Sequence, residues 1–224
     1  MIKNKTLFID FDSTFIKVET LDILADIVLI NDIESQDKKK QISDLTKLAM
    51  TGEISFQSAL QQRVNILSFN KNDILKVIER LFQLISESFL KNKKIIQSNA
   101  DNIWIISGGF KEIITPIVAD YGISPQHVIA NSFIYNGDKI VGCDKSQYLF
   151  KDKGKITAIK KLNINSDKIM IGDGYTDYEV FSHGEADYFI CFTENIKREK
   201  VRQLSTLHAK SFDEVLEIID NECF

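Results

Sequence analysis

A short apolar run near the N-terminus ends in two carboxylates that are one residue apart. The run is Thr6-Leu7-Phe8-Ile9, and Asp10 and Asp12 follow it. Such a run predicts a buried strand, and open α/β sheets bind their ligands at the carboxyl ends of strands. Neighbouring carboxylates repel each other, so a cation such as Mg²⁺ or a proton is needed between them. One carboxylate could then act as a nucleophile and the other as a general acid/base, although an acidic turn is the simple alternative.

A second apolar run, Ile103-Trp104-Ile105-Ile106, ends in Ser107, Gly108 and Gly109, and a helical pattern follows. Glycines at a turn from strand to helix allow backbone N–H groups to approach an anion. An ordinary tight turn is the alternative. The run therefore predicts an anion site only in combination with the other strands.

A third run, Ile169-Met170-Ile171, ends at Asp173, and Asp177 follows four residues later. A turn and a helix N-cap are the structural alternatives for these two carboxylates. Lys153 precedes this run, at the start of a predicted helix, and offers a point charge suited to a phosphate. Other lysines surround it, so a solvated side chain is the alternative there. Together the three strand ends supply the groups that metal-assisted phosphoryl transfer requires.

The order of predicted elements favours an α/β fold with a Rossmann-like, mostly parallel sheet and an inserted helical cap. About ninety residues between the first two strands contain helical patterns only, whereas strands and helices alternate from Ile103 onward. We assign residues 1–15 and 85–224 to the core and 16–84 to the cap. An antiparallel hairpin with a turn at Asn136-Gly137 is also expected.

Composition limits the partners and the compartment. The chain has 224 residues and a net charge of −4, and it contains no long basic block, which argues against nucleic acid. No apolar run could cross a bilayer, and the N-terminal residues lead into a core strand rather than a signal peptide. Three cysteines (Cys143, Cys191 and Cys223) have no paired spacing and indicate free thiols. We therefore expect a cytoplasmic protein, either monomer or homodimer, that binds neither membrane nor nucleic acid.

The order of these motifs resembles the haloacid-dehalogenase-like superfamily of phosphatases and, within it, the phosphoserine phosphatases. The resemblance extends from Thr6 to about Ile218. It implies that Asp10 is the nucleophile and that Asp12 is the acid/base. It also implies that Asp10, the Asp12 carbonyl and Asp173 hold Mg²⁺, with Asp177 nearby.

The same resemblance implies which residues hold the phosphoryl group. They are Ser107, Gly108, Gly109, Lys153 and Thr176. Lys153 is preferred to Lys155 on the resemblance alone. Some relatives have asparagine where this chain has Thr176, which leaves the local phosphate or water contacts open.

A helical face from Phe56 to Leu67 contains an arginine, Arg63, among apolar residues. A buried arginine is costly unless it meets an anion, and an internal salt bridge or a snorkelling side chain is the structural alternative. The resemblance implies instead that Arg63 binds a substrate carboxylate and Glu19 a substrate ammonium group. It also implies that Met50 and Phe56 help to close the pocket.

The expected function is that of a Mg²⁺-dependent phosphatase that converts O-phospho-L-serine to L-serine and phosphate, the last step of serine biosynthesis. The nearest alternative is a related phosphatase or phosphotransferase that acts on another small phosphomonoester, such as phosphohomoserine or phosphothreonine. A non-catalytic sensor of phosphorylated amino acids is a further alternative. The presence of both Asp10 and Asp12 argues against it.

Overall fold

The computed structural model describes residues 4–221. The strands are β1 (Lys5–Ile9), β2 (Ile103–Phe110), β3 (Val128–Asn131), β4 (Phe133–Asn136), β5 (Lys139–Cys143), β6 (Asp167–Gly172), β7 (Tyr188–Phe192) and β8 (Leu207–Ala209). The helices are α1 (Thr20–Val28), α2 (Ser35–Met50), α3 (Phe56–Ile66), α4 (Lys71–Phe82), α5 (Glu87–Lys91), α6 (Lys93–Ser98), α7 (Lys111–Ala119), α8 (Gly154–Leu162), α9 (Tyr175–Ser182), α10 (Glu199–Leu204) and α11 (Phe212–Asn221).

Six of these strands form one sheet in the order β3-β2-β1-β6-β7-β8, and every neighbouring pair is parallel. Leu7 and Ile9 of β1 enter the apolar layer on one face, whereas Phe8 enters the layer on the other face. A strand covered on both faces explains why its sequence is continuously apolar rather than alternating. The predicted parallel α/β core is confirmed. Strand β8, which was not predicted, adds the edge next to β7.

Helices α1–α4 lie between β1 and β2 in the chain. Where the chain enters and leaves this group, Ile16 and Ile85 pair as an isolated antiparallel bridge. The N–H of Lys17 donates to the carbonyl of Leu84 at 2.8 Å. The insertion therefore starts and ends at the same place, above the carboxyl end of β1.

The antiparallel hairpin of β4 and β5 is present, but its turn differs from the prediction. Asn136 pairs with Lys139, so the two turn residues are Gly137 and Asp138. Gly137 has a φ of 62°, which glycine adopts without the steric cost that a β-carbon brings. The turn is therefore shifted by one residue from the predicted position, because Asn136 is the last paired residue of β4.

Candidate active site

The carboxyl ends of two neighbouring strands bring Asp10 and Asp173 together. Asp10 follows β1, and its backbone N–H donates to the carbonyl of Ile171 in β6 at 2.9 Å. Asp177 reaches the same point from the first turn of α9, where it lies so close to Gly172 that a β-carbon there would overlap it. One carboxylate oxygen from each aspartate lies within 4.8 Å of the other two, and all three residues are buried.

The electrostatics of this aspartate trio favour a cation. Burial raises the pKa of Asp173 to about 6 and that of Asp177 to about 8, and the charge of Asp10 adds to both shifts. Three buried carboxylates in contact are stabilised when a cation or a proton compensates them. Because every donor is oxygen, the trio fits a hard divalent cation. Asp177 thus joins the possible ligands directly, although the sequence placed it only nearby.

Lys155 supplies the positive charge that partly balances this trio. Its ammonium nitrogen lies 2.9 Å from Asp10 Oδ1 and 2.5 Å from Asp177 Oδ1. Burial alone would lower the pKa of Lys155, but the two carboxylates outweigh burial and raise it. The lysine is therefore held charged beside the predicted nucleophile.

The structure places Lys155, and not the predicted Lys153, next to Asp10. Lys153 is exposed, and its Nζ lies 3.1 Å from His183 Nε2 rather than near Asp10. It precedes α8 in the left-handed conformation, with φ 58°, whereas Lys155 lies inside the first turn of α8 and faces the sheet edge. Because several lysines lie close together in the sequence, the sequence does not show which of them reaches the site.

Asp12 lies in a tight turn after β1 and is held by the start of α1. Its Oδ1 accepts the backbone N–H of Thr20 at 3.0 Å and also the Thr20 hydroxyl. Ser13, the next residue, has a φ of 56°, an uncommon conformation for a residue with a β-carbon. Burial raises the pKa of Asp12 well above its ordinary value, and the charge of Glu19 adds to this, so the carboxyl group is inclined to keep a proton. The sequence did not single out Thr20.

The predicted anion loop, Ser107 to Gly109, forms the carboxyl-terminal part of β2, where the pairing with β3 is irregular, and it lies opposite these carboxylates. The Ser107 hydroxyl accepts the N–H of Gly109 at 3.0 Å, which fixes the loop. A β-carbon on Gly108 would overlap the ring of Phe56 in α3. Glycine is therefore required at position 108, where Phe56 of α3 packs against β2.

Glu19 and Arg63 lie on the inserted side of the site, and they do not pair with each other. Glu19 Oε1 accepts the Ser13 hydroxyl at 2.8 Å and Nη2 of Arg198 at 3.0 Å. The Arg63 guanidinium is buried, and within residues 4–221 no carboxylate lies within 4.0 Å of it. An internal salt bridge, the structural alternative for Arg63, is therefore absent from this part of the chain.

Arg198 is a functional candidate that the sequence reasoning missed. It is buried at the N-terminus of α10, and its Nε donates to Asp173 Oδ2 at 2.7 Å while its Nη2 contacts Glu19. Thr14 donates to the other oxygen of Asp173 at 3.0 Å. One guanidinium therefore joins the aspartate trio to the inserted helices. Among the charged residues that follow β7, no local signal distinguishes Arg198.

One cavity brings most of the predicted site residues together. Its lining comprises Asp10, Asp12, Glu19, Thr20, Leu21, Met50, Phe56, Leu60, Arg63, Ser107, Gly108, Gly109, Phe110, Lys155 and Thr176. Lys153 lines a neighbouring cavity instead. Phe56, Gly108, Lys155 and Thr176 line both cavities, and the contact of Phe56 with Gly108 forms part of the wall between them.

Comparisons with known proteins identify a family and several similar proteins. The family model for haloacid dehalogenase-like hydrolases matches residues 7–182. The chain belongs to this hydrolase family. The phosphoserine phosphatase of Homo sapiens is 30% identical over 212 residues, which are 92% of this chain and 89% of that protein. The phosphoserine phosphatase of Campylobacter jejuni subsp. doylei is 32% identical over 206 residues, 87% of this chain and 91% of that one.

A solved structure extends the likeness to the whole fold. It belongs to a phosphoserine phosphohydrolase-like protein from Francisella tularensis subsp. tularensis, 33% identical, with a TM-score of 0.87. The match covers 96% of this chain and 99% of that chain. The resemblance drawn from the sequence motifs is confirmed.

The sequence also predicted that no segment crosses a bilayer and that the cysteines are free thiols. Within residues 4–221, no helix is both long and apolar enough to traverse a bilayer. Cys143 and Cys191 are free and buried, whereas Cys223 lies outside the described residues. Burial raises the pKa of the Cys143 thiol to about 11 and that of Cys191 to about 12, which makes both thiols unreactive.

Proposed function

We propose that this hydrolase is a Mg²⁺-dependent phosphatase that converts O-phospho-L-serine to L-serine and phosphate, the last step of serine biosynthesis. One observation carries the proposal. A single cavity has Asp10, the nucleophile of the carboxylate trio, at one end and the buried Arg63, which has no carboxylate within 4.0 Å in residues 4–221, at the other. A small phosphate ester that also bears a carboxylate would satisfy both ends. The curated relatives named above are phosphoserine phosphatases.

The phosphoryl end of the cavity has the groups for covalent catalysis. Asp10 attacks phosphorus in line and forms an aspartyl-phosphate. Asp12 donates a proton to the leaving serine oxygen and then takes one from the water that hydrolyses the intermediate. The raised pKa of Asp12, caused mainly by burial, suits the first of these tasks.

Lys155 and the predicted anion loop at the carboxyl-terminal part of β2 hold the phosphoryl oxygens. Lys155 already contacts Asp10, so its ammonium group lies beside the reacting atoms. Ser107, with the backbone N–H groups of Gly108 and Gly109, provides donors from the opposite side. Thr176, in the first turn of α9, supplies a further hydroxyl at the cavity wall.

Asp10, Asp173 and Asp177, together with the Asp12 carbonyl, are the groups that would hold Mg²⁺. When bound, Mg²⁺ would neutralise charge between the nucleophile and the phosphoryl oxygens. Only oxygen ligands are offered, and this favours Mg²⁺ over ions that prefer nitrogen or sulfur.

The other end of the cavity recognises the amino acid. Arg63 binds the substrate carboxylate, and Glu19 binds the ammonium group. Residues 16–84 form the cap that bears both side chains, and residues 1–15 and 85–224 form the core. The bridge between Ile16 and Ile85 supports this division because both crossings lie together. Met50 and Phe56 close the cavity from the cap side and exclude water.

A cytoplasmic location and a monomeric or homodimeric state complete the proposal. Two buried free thiols, Cys143 and Cys191, support a reducing compartment. The net charge of −4 supports a small-molecule substrate rather than nucleic acid.

Phosphate release from a panel of phosphomonoesters with Mg²⁺ tests the proposal. The panel contains phosphoserine, phosphothreonine, phosphohomoserine and p-nitrophenyl phosphate. We expect the highest kcat/KM for phosphoserine. A higher value for phosphothreonine or phosphohomoserine would change the substrate, and transfer to added serine without net phosphate release would indicate a phosphotransferase.

Arg63→Ala sharpens the same experiment. It should lower kcat/KM for phosphoserine by about 30- to 1000-fold, because a charge-assisted contact in a closed pocket is lost. It should affect p-nitrophenyl phosphate much less, since that ester has no carboxylate. Arg80→Ala, which removes an exposed arginine of α4, is the matched control. Equal losses on both substrates would make Arg63 structural and contradict the proposed specificity.

A further inference from the structure

Among the described residues, the buried side chain of Arg63 makes few hydrogen bonds for an arginine. Its Nε donates to the Ala59 carbonyl, one turn earlier in α3, at 3.4 Å. Its Nη1 donates to the Thr46 hydroxyl of α2 at 2.9 Å. A guanidinium has five N–H donors, so these two contacts leave most of its donors for the cavity that it lines.

The Thr46 hydroxyl can only accept from Arg63. Thr46 is buried, and its single hydroxyl proton is given to the Ile42 carbonyl at 3.1 Å. Arginine has donors only. The lone pairs of Thr46 Oγ1 therefore face Nη1, and the direction of the hydrogen bond is fixed by chemistry on both sides.

Bonding to the carbonyl four residues earlier is common for threonine and does not explain this contact. Thr157 makes the same bond to the Lys153 carbonyl at 3.3 Å, but it is exposed on α8. Thr46 differs because a second helix places a guanidinium on its free lone pairs. The contact joins α2 to the head of a side chain that starts on α3.

This contact fixes a flexible side chain before a substrate arrives. An arginine stem has several rotatable bonds, and ordering them on binding weakens affinity. With Nε and Nη1 both held, the remaining edge of the fork is directed away from Thr46 and Ala59. A pre-ordered fork loses less freedom when it meets a planar carboxylate.

We infer that Thr46 is a positioning residue that orients Arg63 and so strengthens the preference for substrates with a carboxylate. This inference rests on the proposed function, in which Arg63 binds the substrate carboxylate. Thr46 contacts neither the reacting atoms nor, in this role, the substrate.

Thr46→Val tests the inference because valine keeps the shape and removes the acceptor. We expect KM for phosphoserine to rise about 3- to 10-fold, with kcat within about twofold, because one hydrogen bond to a charged group is lost. The kinetics with p-nitrophenyl phosphate should stay within about twofold of wild type. Thr46→Ser, which keeps the hydroxyl, should restore the phosphoserine KM, and Thr157→Val is the control for a threonine outside this contact.

A double variant separates positioning from packing. In the Arg63→Ala background, adding Thr46→Val should change KM for phosphoserine by less than about twofold, because no guanidinium remains to be oriented. Thr46→Ala, as a second variant without the hydroxyl, should raise KM at least as much as Thr46→Val. Thermal melts of all variants check that the fold is intact.

Two results would overturn the inference while the proposed function stands. In the first, wild type hydrolyses phosphoserine but Thr46→Val and Thr46→Ala behave like Thr157→Val. In the second, the Thr46 variants lose activity equally on both substrates, or the loss persists without Arg63. Failure of the wild-type chain to hydrolyse phosphoserine would overturn the proposed function and the inference together.

Discussion

The two ends of the cavity treat charge in opposite ways. At the end formed by the sheet, Lys155 contacts both Asp10 and Asp177, so each of these carboxylates has a cationic partner inside the protein. At the end formed by the inserted helices, Arg63 is buried without a carboxylate within 4.0 Å in residues 4–221. Paired charges hold reacting groups in place, whereas an unpaired buried charge gains most from a ligand of opposite sign. The difference supports chemistry at the first end and recognition at the second.

Arg198 joins the two ends. It contacts Asp173 on the sheet side and Glu19 on the inserted side. Substitutions at either end or at Arg198 should therefore have separable effects, and the largest effect is expected at the sheet end.

Asp10→Asn should remove activity, with a loss on the order of 10⁴-fold or more in kcat. The amide keeps the shape of the side chain but is no longer a nucleophile. Phosphate release by a purified sample measures the loss, and Asp101→Asn, at an exposed position, is the control. Activity near the wild-type level would rule out the aspartyl-phosphate mechanism.

Arg198→Met should lower the free energy of unfolding by about 3–5 kcal/mol in EDTA, because the buried Asp173 and the partly buried Glu19 lose their shared cation. Urea denaturation measures the change. Added Mg²⁺ should recover part of it, since the ion replaces some of the missing charge. Arg202→Met, on an exposed face of α10, should shift stability by about 0.5 kcal/mol or less. An equal, small effect of both variants would show that the link adds no stability.

Lys155→Met should lower kcat/KM by about 10²–10³-fold on phosphoserine and on p-nitrophenyl phosphate alike, because both have a phosphoryl group. Lys153→Met should stay within about twofold of wild type, since an exposed lysine contributes little. The pair tests the corrected assignment directly. A larger loss from Lys153→Met than from Lys155→Met would restore the original choice.

The metal-free protein should become less stable as pH rises from 6 to 8. Burial raises the pKa of Asp177 to about 8 and of Asp173 to about 6, above the value near 3.9 of an unfolded aspartate. Between the pKa of an unfolded aspartate and the raised pKa of each folded aspartate, the folded chain binds more protons than the unfolded chain. The free energy of unfolding therefore falls as pH rises.

In EDTA we expect Tm to fall by about 3–6 °C over this range. Saturating Mg²⁺ should reduce the fall, because the cation replaces the protons. Asp177→Asn should also reduce it. A Tm in EDTA that stays constant or rises between pH 6 and 8 would show that these carboxylates are ionised without a cation.

Much of the fold and of the sheet end was predictable because the signals are local. The strand before Asp10, the strand before Ser107 and the strand before Asp173 are each an apolar run with a polar end. Parallel strands place their carboxyl ends at one edge, so three separate runs imply one site. The hydrolase family and the parallel core were confirmed, while the individual roles of the site residues stay predictions.

What the sequence by itself determined is therefore the set of strand ends and the chemistry that they can perform. Only the tertiary structure decided which of two lysines reaches Asp10, since Lys153 and Lys155 differ in backbone conformation and not in type. It also decided that Arg198 and Thr46 contact the site residues. Both contacts join elements far apart in the chain or on separate helices. Local patterns record burial and turns, but the partner of a buried charge is set by how the helices and strands pack.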